Sequence, residues 1–151
     1  MAASIEVFLD SSAVFAAILS EDGGARMILK LGESGVVHIS VSAQVLKEVE
    51  GALRRKAPEA IPMLAVLLDA ARVVVGSSAG PTAVRRLRNP VGHDGDAQVL
   101  ADAVVAGVVY FVTLDRKHFL ENRSARKAVP FIIGSPGDFL AWLRDGLSAG
   151  L

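Results

Sequence analysis

Four acidic residues stand where a folded chain could bring them to one place: Asp10, Glu48, Asp96 and Asp115. Asp10 and Asp115 each follow a short apolar run that predicts a buried strand. The carboxyl ends of parallel strands form the edge of a sheet where ligands bind, so these two acids are expected at the same edge. Asp96 lies in the first turn of a predicted helix, where the helix dipole favours a negative charge. Glu48 lies within another predicted helix, and spacing alone does not determine which way it points.

Each acid taken singly also has an ordinary structural explanation. An aspartate at a strand end often forms a turn, and Asp96 by itself is typical of an N-terminal cap. Glu48 by itself is typical of a solvated helix residue, since Glu50 lies on the same helix. The combination indicates chemistry, because carboxylates packed together repel one another and take up protons unless a cation joins them. Mg²⁺ or Mn²⁺ suits an all-oxygen set, whereas the absence of cysteine and the presence of only three histidines argue against zinc.

The bulk composition predicts one globular domain spanning residues 1–151. The chain is 52% hydrophobic and 5% aromatic, which is apolar enough to bury one core at this length. No apolar run approaches the roughly 20 residues that span a bilayer, and residues 1–6 do not resemble a signal peptide. We therefore expect a cytoplasmic protein with no membrane association. The charges of the 16 basic and 16 acidic residues cancel. If the protein binds a polyanion such as RNA, the positive charge must come from a local cluster, a metal or a partner.

Apolar runs and helical spacing alternate along the chain. Predicted strands cover residues 5–9, 36–39, 72–75, 108–113 and 131–133. Predicted helices cover residues 11–19, 25–31, 42–56, 59–71, 96–106 and a last segment that opens at 135. Residues 76–95 are predicted to form a long loop that is helical only around 82–87. The alternation predicts an α/β fold, a three-layer α/β/α sandwich on a mostly parallel five-stranded sheet.

The sequence around the acids resembles the PIN-domain family in several blocks. The blocks are residues 7–12, 45–48, 96–103, 111–115 and 132–140, and each of the first four carries one of the four candidate acids. The resemblance runs from about Ile5 to Leu143, in the right order and at plausible separations. Two departures stand out. Asp94 precedes Asp96 by two positions and is an alternative for the third acid, and the stretch between the third strand and Asp96 matches nothing distinctive.

The resemblance implies a metal-dependent endoribonuclease that hydrolyses RNA phosphodiester bonds. Asp10, Glu48, Asp96 and Asp115 would then be the catalytic acids that hold Mg²⁺ or Mn²⁺ and so activate water for in-line attack. Ser12 and Thr113 are expected to orient ligands or metal waters from behind, although Thr113 is equally typical of a plain strand residue. The resemblance also implies the toxin of a bacterial toxin–antitoxin pair, with a small antitoxin partner and a homodimeric state.

Positive charge for an RNA substrate has three local sources. The basic clusters are residues 54–56, 85–88 and 116–118. Arg116 and Lys117 directly follow Asp115, so they are the residues expected beside the acids, where they could hold phosphate. His93 and His118 are expected to be surface residues, because no partner for either is evident in the sequence.

Other α/β enzymes are excluded by the residues that they require. A haloacid dehalogenase-like phosphatase needs a second aspartate two positions after Asp10, where this chain has Ser12, and a receiver domain needs one after the third strand, where it has Gly76. A dinucleotide-binding domain needs G-x-G-x-x-G after the first strand, which is absent. Two alternatives stay open: a catalytically weak or inactive PIN-fold module that binds RNA or protein, and a DNA-directed nuclease.

Overall fold

The computed structural model describes residues 4–150, which form a five-stranded parallel sheet. The strands are β1 (Ile5–Leu9), β2 (Val37–Ser42), β3 (Val74–Gly76), β4 (Tyr110–Val112) and β5 (Ile132–Gly134). Their spatial order is β3-β2-β1-β4-β5. The predicted α/β class and five-stranded sheet are confirmed, and the sheet is parallel throughout.

Eight α-helices and two short helical turns connect the strands among residues 4–150. The helices are α1 (Ser11–Leu19), α2 (Gly24–Glu33), α3 (Ala43–Lys56), α4 (Ile61–Ala70), α5 (Pro81–Val91), α6 (Asp94–Ala106), α7 (Arg123–Lys127) and α8 (Pro136–Ser148). A 3-10 turn (Pro58–Ala60) precedes α4, and a π-helical turn (Arg116–Leu120) follows β4. No helix within residues 4–150 is long and apolar enough to cross a membrane.

Both faces of the sheet are covered by helices, as a three-layer sandwich requires. Neighbouring residues on a strand point to opposite faces, and β4 shows this with two aromatic side chains. Phe111 stacks on Phe8 and Phe131, with ring centroids 5.5 Å and 5.8 Å apart. Tyr110 instead meets Phe139 of α8, at 4.9 Å. One aromatic cluster therefore fills each face of the same strand.

The order of the strands places a switch point between β1 and β4. From β1 the chain moves outward to β2 and β3, then returns to the other side of β1 to form β4 and β5. Because such crossovers are right-handed, the helices before and after β3 fall on opposite faces. A crevice opens at the carboxyl ends of the strands where the direction reverses, and the ends of β1 and β4 carry Asp10 and Asp115 there.

The prediction of a long loop over residues 76–95 is wrong for most of its length. Helix α5 fills Pro81–Val91, and α6 begins at Asp94 rather than at Asp96. The buried residues of α5 are Val84, Leu87 and Val91, a helical stripe that the Gly and Pro residues around it concealed. Gly92 ends α5 with φ +83°, a left-handed conformation that glycine adopts without strain. The sequence prediction also missed the π-helical turn and α7.

Candidate functional site

Asp10 lies at the bottom of the crevice, where β1 passes into α1. Its side chain is 5% exposed, and its Oδ2 accepts hydrogen bonds from the Thr113 hydroxyl at 2.8 Å and the Ser12 hydroxyl at 3.3 Å. The Thr113 hydroxyl also accepts from the backbone N–H of Asp115 at 3.0 Å. The Ser12 hydroxyl accepts from the backbone N–H of Leu114 at 2.9 Å. The two hydroxyls therefore tie the end of β1 to the segment that carries Asp115.

The carboxylate of Asp115 faces His118 across the first turn of the π-helical segment. Its Oδ1 accepts from the His118 backbone N–H at 3.0 Å, and its Oδ2 lies 2.9 Å from the His118 Nδ1. The backbone contact is that of an N-cap, which satisfies a donor at the start of the turn. The ring contact is a second interaction and gives this carboxylate a defined orientation.

Asp96 lies in the first turn of α6 and is mostly buried. Its Oδ2 is 3.5 Å from the His93 Nδ1 and 3.8 Å from the His118 Nδ1. Burial raises the pKa of the Asp96 carboxyl, the two histidines lower it, and the charge of Asp115 raises it. Asp96 and Asp115 thus share His118 and sense each other electrostatically.

Glu48 extends from α3 toward Asp10 and Asp96. Its Oε1 is buried and has no hydrogen-bond partner among the described residues. Burial, and to a smaller extent the charges of Asp10 and Asp96, raise the pKa of Glu48 to about 7. A buried carboxylate oxygen without a donor is costly, so a cation or a proton is needed to stabilise it.

The four predicted acids are therefore electrostatic neighbours. Burial, the largest influence, and the charges of Asp96 and Asp115 raise the pKa of Asp10, while hydrogen bonds from Thr113 and the Ser11 backbone lower it. The net value of this pKa is about 6. Asp10 precedes β2 in the chain and Glu48 follows it, and the fold brings both to the edge of the sheet where Asp96 and Asp115 lie. Such clustered, perturbed carboxylates in a crevice are typical of a functional site.

The donor chemistry of this cluster fits a hard divalent cation. All four acids offer carboxylate oxygens, and Glu48, whose Oε1 is buried without a partner, senses the charges of Asp10 and Asp96. Within residues 4–150, however, no three His, Asp or Glu side chains converge closely enough to form a ready ligand set.

The other predicted site residues occupy different surroundings. Asp94 is 76% exposed in its side chain, and its Oδ1 lies 2.8 Å from the Arg88 Nε. Arg116 donates from Nε and Nη2 to Glu121 Oε1, at 3.0 Å and 2.8 Å. Lys117 is exposed and has no ion pair within residues 4–150. Of the two basic residues after Asp115, Lys117 therefore has the freer charge.

His93 and His118 are the site residues that sequence reasoning missed. The expectation that both are plain surface residues is wrong for His118, which contacts Asp115 and lies near Asp96. His93 is exposed but also lies beside Asp96. A signal existed in the spacing, since His93 stands three residues before Asp96 and His118 three residues after Asp115. Residues three apart share one face of a helical turn.

Comparisons with known proteins agree with the fold. One chain of VapBC2 from Rickettsia felis, solved bound to a DNA fragment from their promoter, superposes with a TM-score of 0.65 over 87% of this chain and 98% of the matched chain, at 16% identity. PAE2754 from Pyrobaculum aerophilum superposes with a TM-score of 0.62 over 95% of this chain and 99% of the matched chain, at 20% identity. No family model and no curated protein matches the sequence. The chain has a PIN-domain fold.

Proposed function

We propose that this protein is a metal-dependent endoribonuclease that hydrolyses RNA phosphodiester bonds. The observation that carries the proposal is the carboxylate cluster at the switch point of the sheet. There the unpartnered Oε1 of Glu48 lies among acids whose pKa values are raised by burial and by one another. The PIN-domain fold and the predicted order of the acids support the same conclusion.

In this proposal Asp10, Glu48, Asp96 and Asp115 hold Mg²⁺ or Mn²⁺. When bound, such an ion would neutralise charge on the phosphate oxygens and lower the pKa of the attacking water. The hydroxyls of Thr113 and Ser12 hold the Asp10 carboxylate in place from behind. Asp94 stays an alternative for the third acid, but its ion pair with Arg88 favours Asp96.

The exposed side of α3 supports a polyanionic substrate. A groove of about 510 Å³ runs along this helix past Glu48, and Lys47, Arg54 and Arg55 line it. None of these three basic residues forms an ion pair within residues 4–150, so their charges are available to phosphates, while Glu50 in the same groove opposes them. This track on α3 is better placed than Arg116, whose charge Glu121 already pairs. Lys117 is the second substrate contact that we propose.

The biological role in the proposal is that of a toxin held inactive by a small antitoxin. The likeness to a chain of VapBC2, a toxin–antitoxin system, supports it. We further propose a homodimer in the cytoplasm, supported by the exposed apolar side chains Met63 and Val66 on α4. Co-purification with the product of a neighbouring short reading frame and the sedimentation of the purified chain would test the two partners separately.

The decisive experiment measures cleavage of single-stranded RNA with Mn²⁺, with Mg²⁺ and with a chelator. We expect cleavage only with metal, and a loss of about 100-fold or more in Asp10→Asn. Asp145→Asn is the matched control, because Asp145 is exposed and pairs only with Arg144. Cleavage that survives Asp10→Asn or a chelator would contradict the proposal. Faster cleavage of DNA than of RNA would favour the DNA-directed nuclease, and RNA binding without cleavage would favour the binding module.

A further inference from the structure

A second pocket lies beside the acids, between the start of α3, the middle of α6 and the loop after β3. It encloses about 320 Å³ and is lined by Ala43, Gln44, Lys47, Ser78, Ala79 and Gln98. Two features connect it with the candidate site. Gln44 and Lys47 also line the groove that passes Glu48, and Gln98 follows Asp96 by two residues on α6. A strand lying in the groove would therefore pass the mouth of this pocket.

A buried carboxylate organises one wall of the pocket. Asp102 is 2% exposed, and its Oδ1 accepts from the backbone N–H of Ala79 at 2.7 Å and from the Gln98 Nε2 at 2.8 Å. The Gln98 Nε2 also donates to the backbone carbonyl of Ala79 at 3.3 Å. Both backbone groups of Ala79 are thus bound by α6, and Gln98 is held between the loop and Asp102.

These contacts determine which end of the Gln98 amide faces the pocket. Its NH₂ group has two acceptors, Asp102 Oδ1 and the Ala79 carbonyl, and neither can donate. The opposite orientation would put a carbonyl oxygen against two acceptors, so it is disfavoured. The Gln98 carbonyl oxygen has no donor among the described residues. It is a pre-oriented acceptor in a pocket that is otherwise adaptable, since Gln44 and Ser78 can each donate or accept.

We propose that this pocket binds one unpaired base of the RNA strand and selects a base that carries an exocyclic amino group. The Gln98 carbonyl accepts from that amino group, and Lys47, exposed at the rim next to Glu48, meets the adjoining phosphate. Adenine, cytosine and guanine carry an amino group on their Watson–Crick edge, which is free in an unpaired base. Uracil and hypoxanthine have a carbonyl where cytosine and adenine have this amino group. The inference rests on the proposed function, because it takes RNA as the ligand.

Binding of short RNA to the Asp10→Asn protein with Mn²⁺ tests the pocket apart from cleavage. Two pairs of oligonucleotides swap amino for carbonyl: oligocytidine against oligouridine, and oligoadenosine against oligoinosine. We expect each amino-bearing member to bind about 5-fold more tightly, as one hydrogen bond predicts. The additional substitution Gln98→Met should bring both ratios close to 1. Gln44→Met, in the same pocket, should leave both ratios within about 2-fold of their starting values, because its amide is free to turn.

The outcomes separate this inference from the proposed function. RNA binding with no amino preference, or a preference that survives Gln98→Met, overturns the pocket and leaves the nuclease proposal standing. No binding of any RNA also overturns the pocket, and the cleavage assay on the wild-type protein then decides the nuclease proposal by itself. If Gln98→Met does not fold, Gln98→Asn withdraws the carbonyl by one methylene and should reduce the ratios in the same direction. A purely structural Gln98 would change the unfolding temperature in these variants and leave the ratios unchanged.

Discussion

The Asp10 carboxylate combines near-complete burial with a charged function. Burial opposes its ionisation, and hydrogen bonds from Thr113 and Ser11 favour it, so the balance leaves its pKa at about 6. Glu48 has no such donors on Oε1, and its pKa stands at about 7. The site therefore carries ionisable groups that change state close to neutral pH, and in the proposed function their protonation would oppose the binding of a cation.

We predict that metal-dependent cleavage rises with pH between about 5.5 and about 7.5, because Asp10 and Glu48 must lose their protons to hold a cation. A rate profile with Mn²⁺ held constant measures it. Cleavage that is flat over this window, or that falls, would contradict the assignment of these two acids as ligands.

The same shifts predict the stability of the metal-free protein. The pKa values of both acids are higher in the folded chain than their usual 3.8 and 4.5, so the folded state holds more protons between about pH 4 and about pH 7. The contribution of these two acids to the free energy of unfolding is most favourable below pH 4 and is lost as pH rises through 6 and 7. Urea unfolding in the presence of a chelator measures this loss. Across this window the free energy of unfolding of the wild type should fall relative to that of Asp10→Asn, by up to about 3 kcal/mol. The opposite sign would show that Asp10 is not destabilised by burial.

Thr113 provides a test of how the acids are held. Thr113→Val keeps the shape but removes the donor to Asp10 and the acceptor for the Asp115 backbone N–H. We expect a loss of about 1–3 kcal/mol in the free energy of unfolding, and an upward shift of the pH at which cleavage begins. Thr113→Ser keeps the hydroxyl and should retain most of both properties. Equal behaviour of the two variants would assign Thr113 to packing alone.

Helix α2 must lie close to β2 for the sheet edge to form, and Gly32 permits this approach. A Cβ at Gly32 would lie 2.6 Å from the Ile39 Cδ1 and 2.9 Å from the Ala71 carbonyl oxygen. The side chain could move, but the backbone oxygen is fixed by the end of α4. The carboxyl edge of β2 continues into α3, which carries Glu48, so this packing supports the site indirectly.

Substituting Gly32 near the end of α2, with Gly51 within α3 as the comparison, tests this approach. Gly32→Ala should destabilise the fold by about 1–3 kcal/mol through overpacking. Gly51→Ala on α3 should be neutral or stabilising by up to about 1 kcal/mol, because its Cβ would meet only the flexible end of Arg55. Chemical unfolding of both variants measures the difference. A Gly32→Ala protein as stable as Gly51→Ala would show that α2 can move away from β2 freely.

At the scale of the whole molecule, the fold gathers mutually repelling acids at one edge of an otherwise apolar sheet. The strands beneath them are buried on both faces, with Leu9 and Val112 fully inaccessible on one face and Phe111 on the other. Packing elsewhere therefore holds the acids together against their repulsion. A cation that binds between them should raise the free energy of unfolding of the whole domain.

We predict that Mn²⁺ raises the unfolding temperature. At about 100 times its Kd the cation should add about 2.7 kcal/mol, or about 5–10 °C for a chain of this length. Asp10→Asn should lose most of this shift, and Asp145→Asn should keep it. Differential scanning calorimetry with Mn²⁺ and with a chelator makes the comparison. The same shift in Asp10→Asn as in wild type would place the cation elsewhere.

Local sequence patterns were sufficient for the strands and most helices, and for placing Asp10 and Asp115 after strands. The apolar run of residues 5–9 and its end at Asp10 can be read without knowing the rest of the chain, because strand, cap and turn signals act over a few positions. The prediction failed where tertiary packing decided the outcome: α5 forms because Val84, Leu87 and Val91 find a buried surface.

Only the tertiary structure decided which side chains meet. Nothing near Glu48 in the chain indicates that its Oε1 is buried without a donor. His118 also lies near Asp96, which belongs to α6; this helix precedes β4 in the chain, whereas His118 follows β4. The sequence by itself determined which acids stand at the ends of elements, since that is a local property. Their partners, burial and charge state depend on how the strand order brings distant elements to one edge, and that is a property of the folded chain alone.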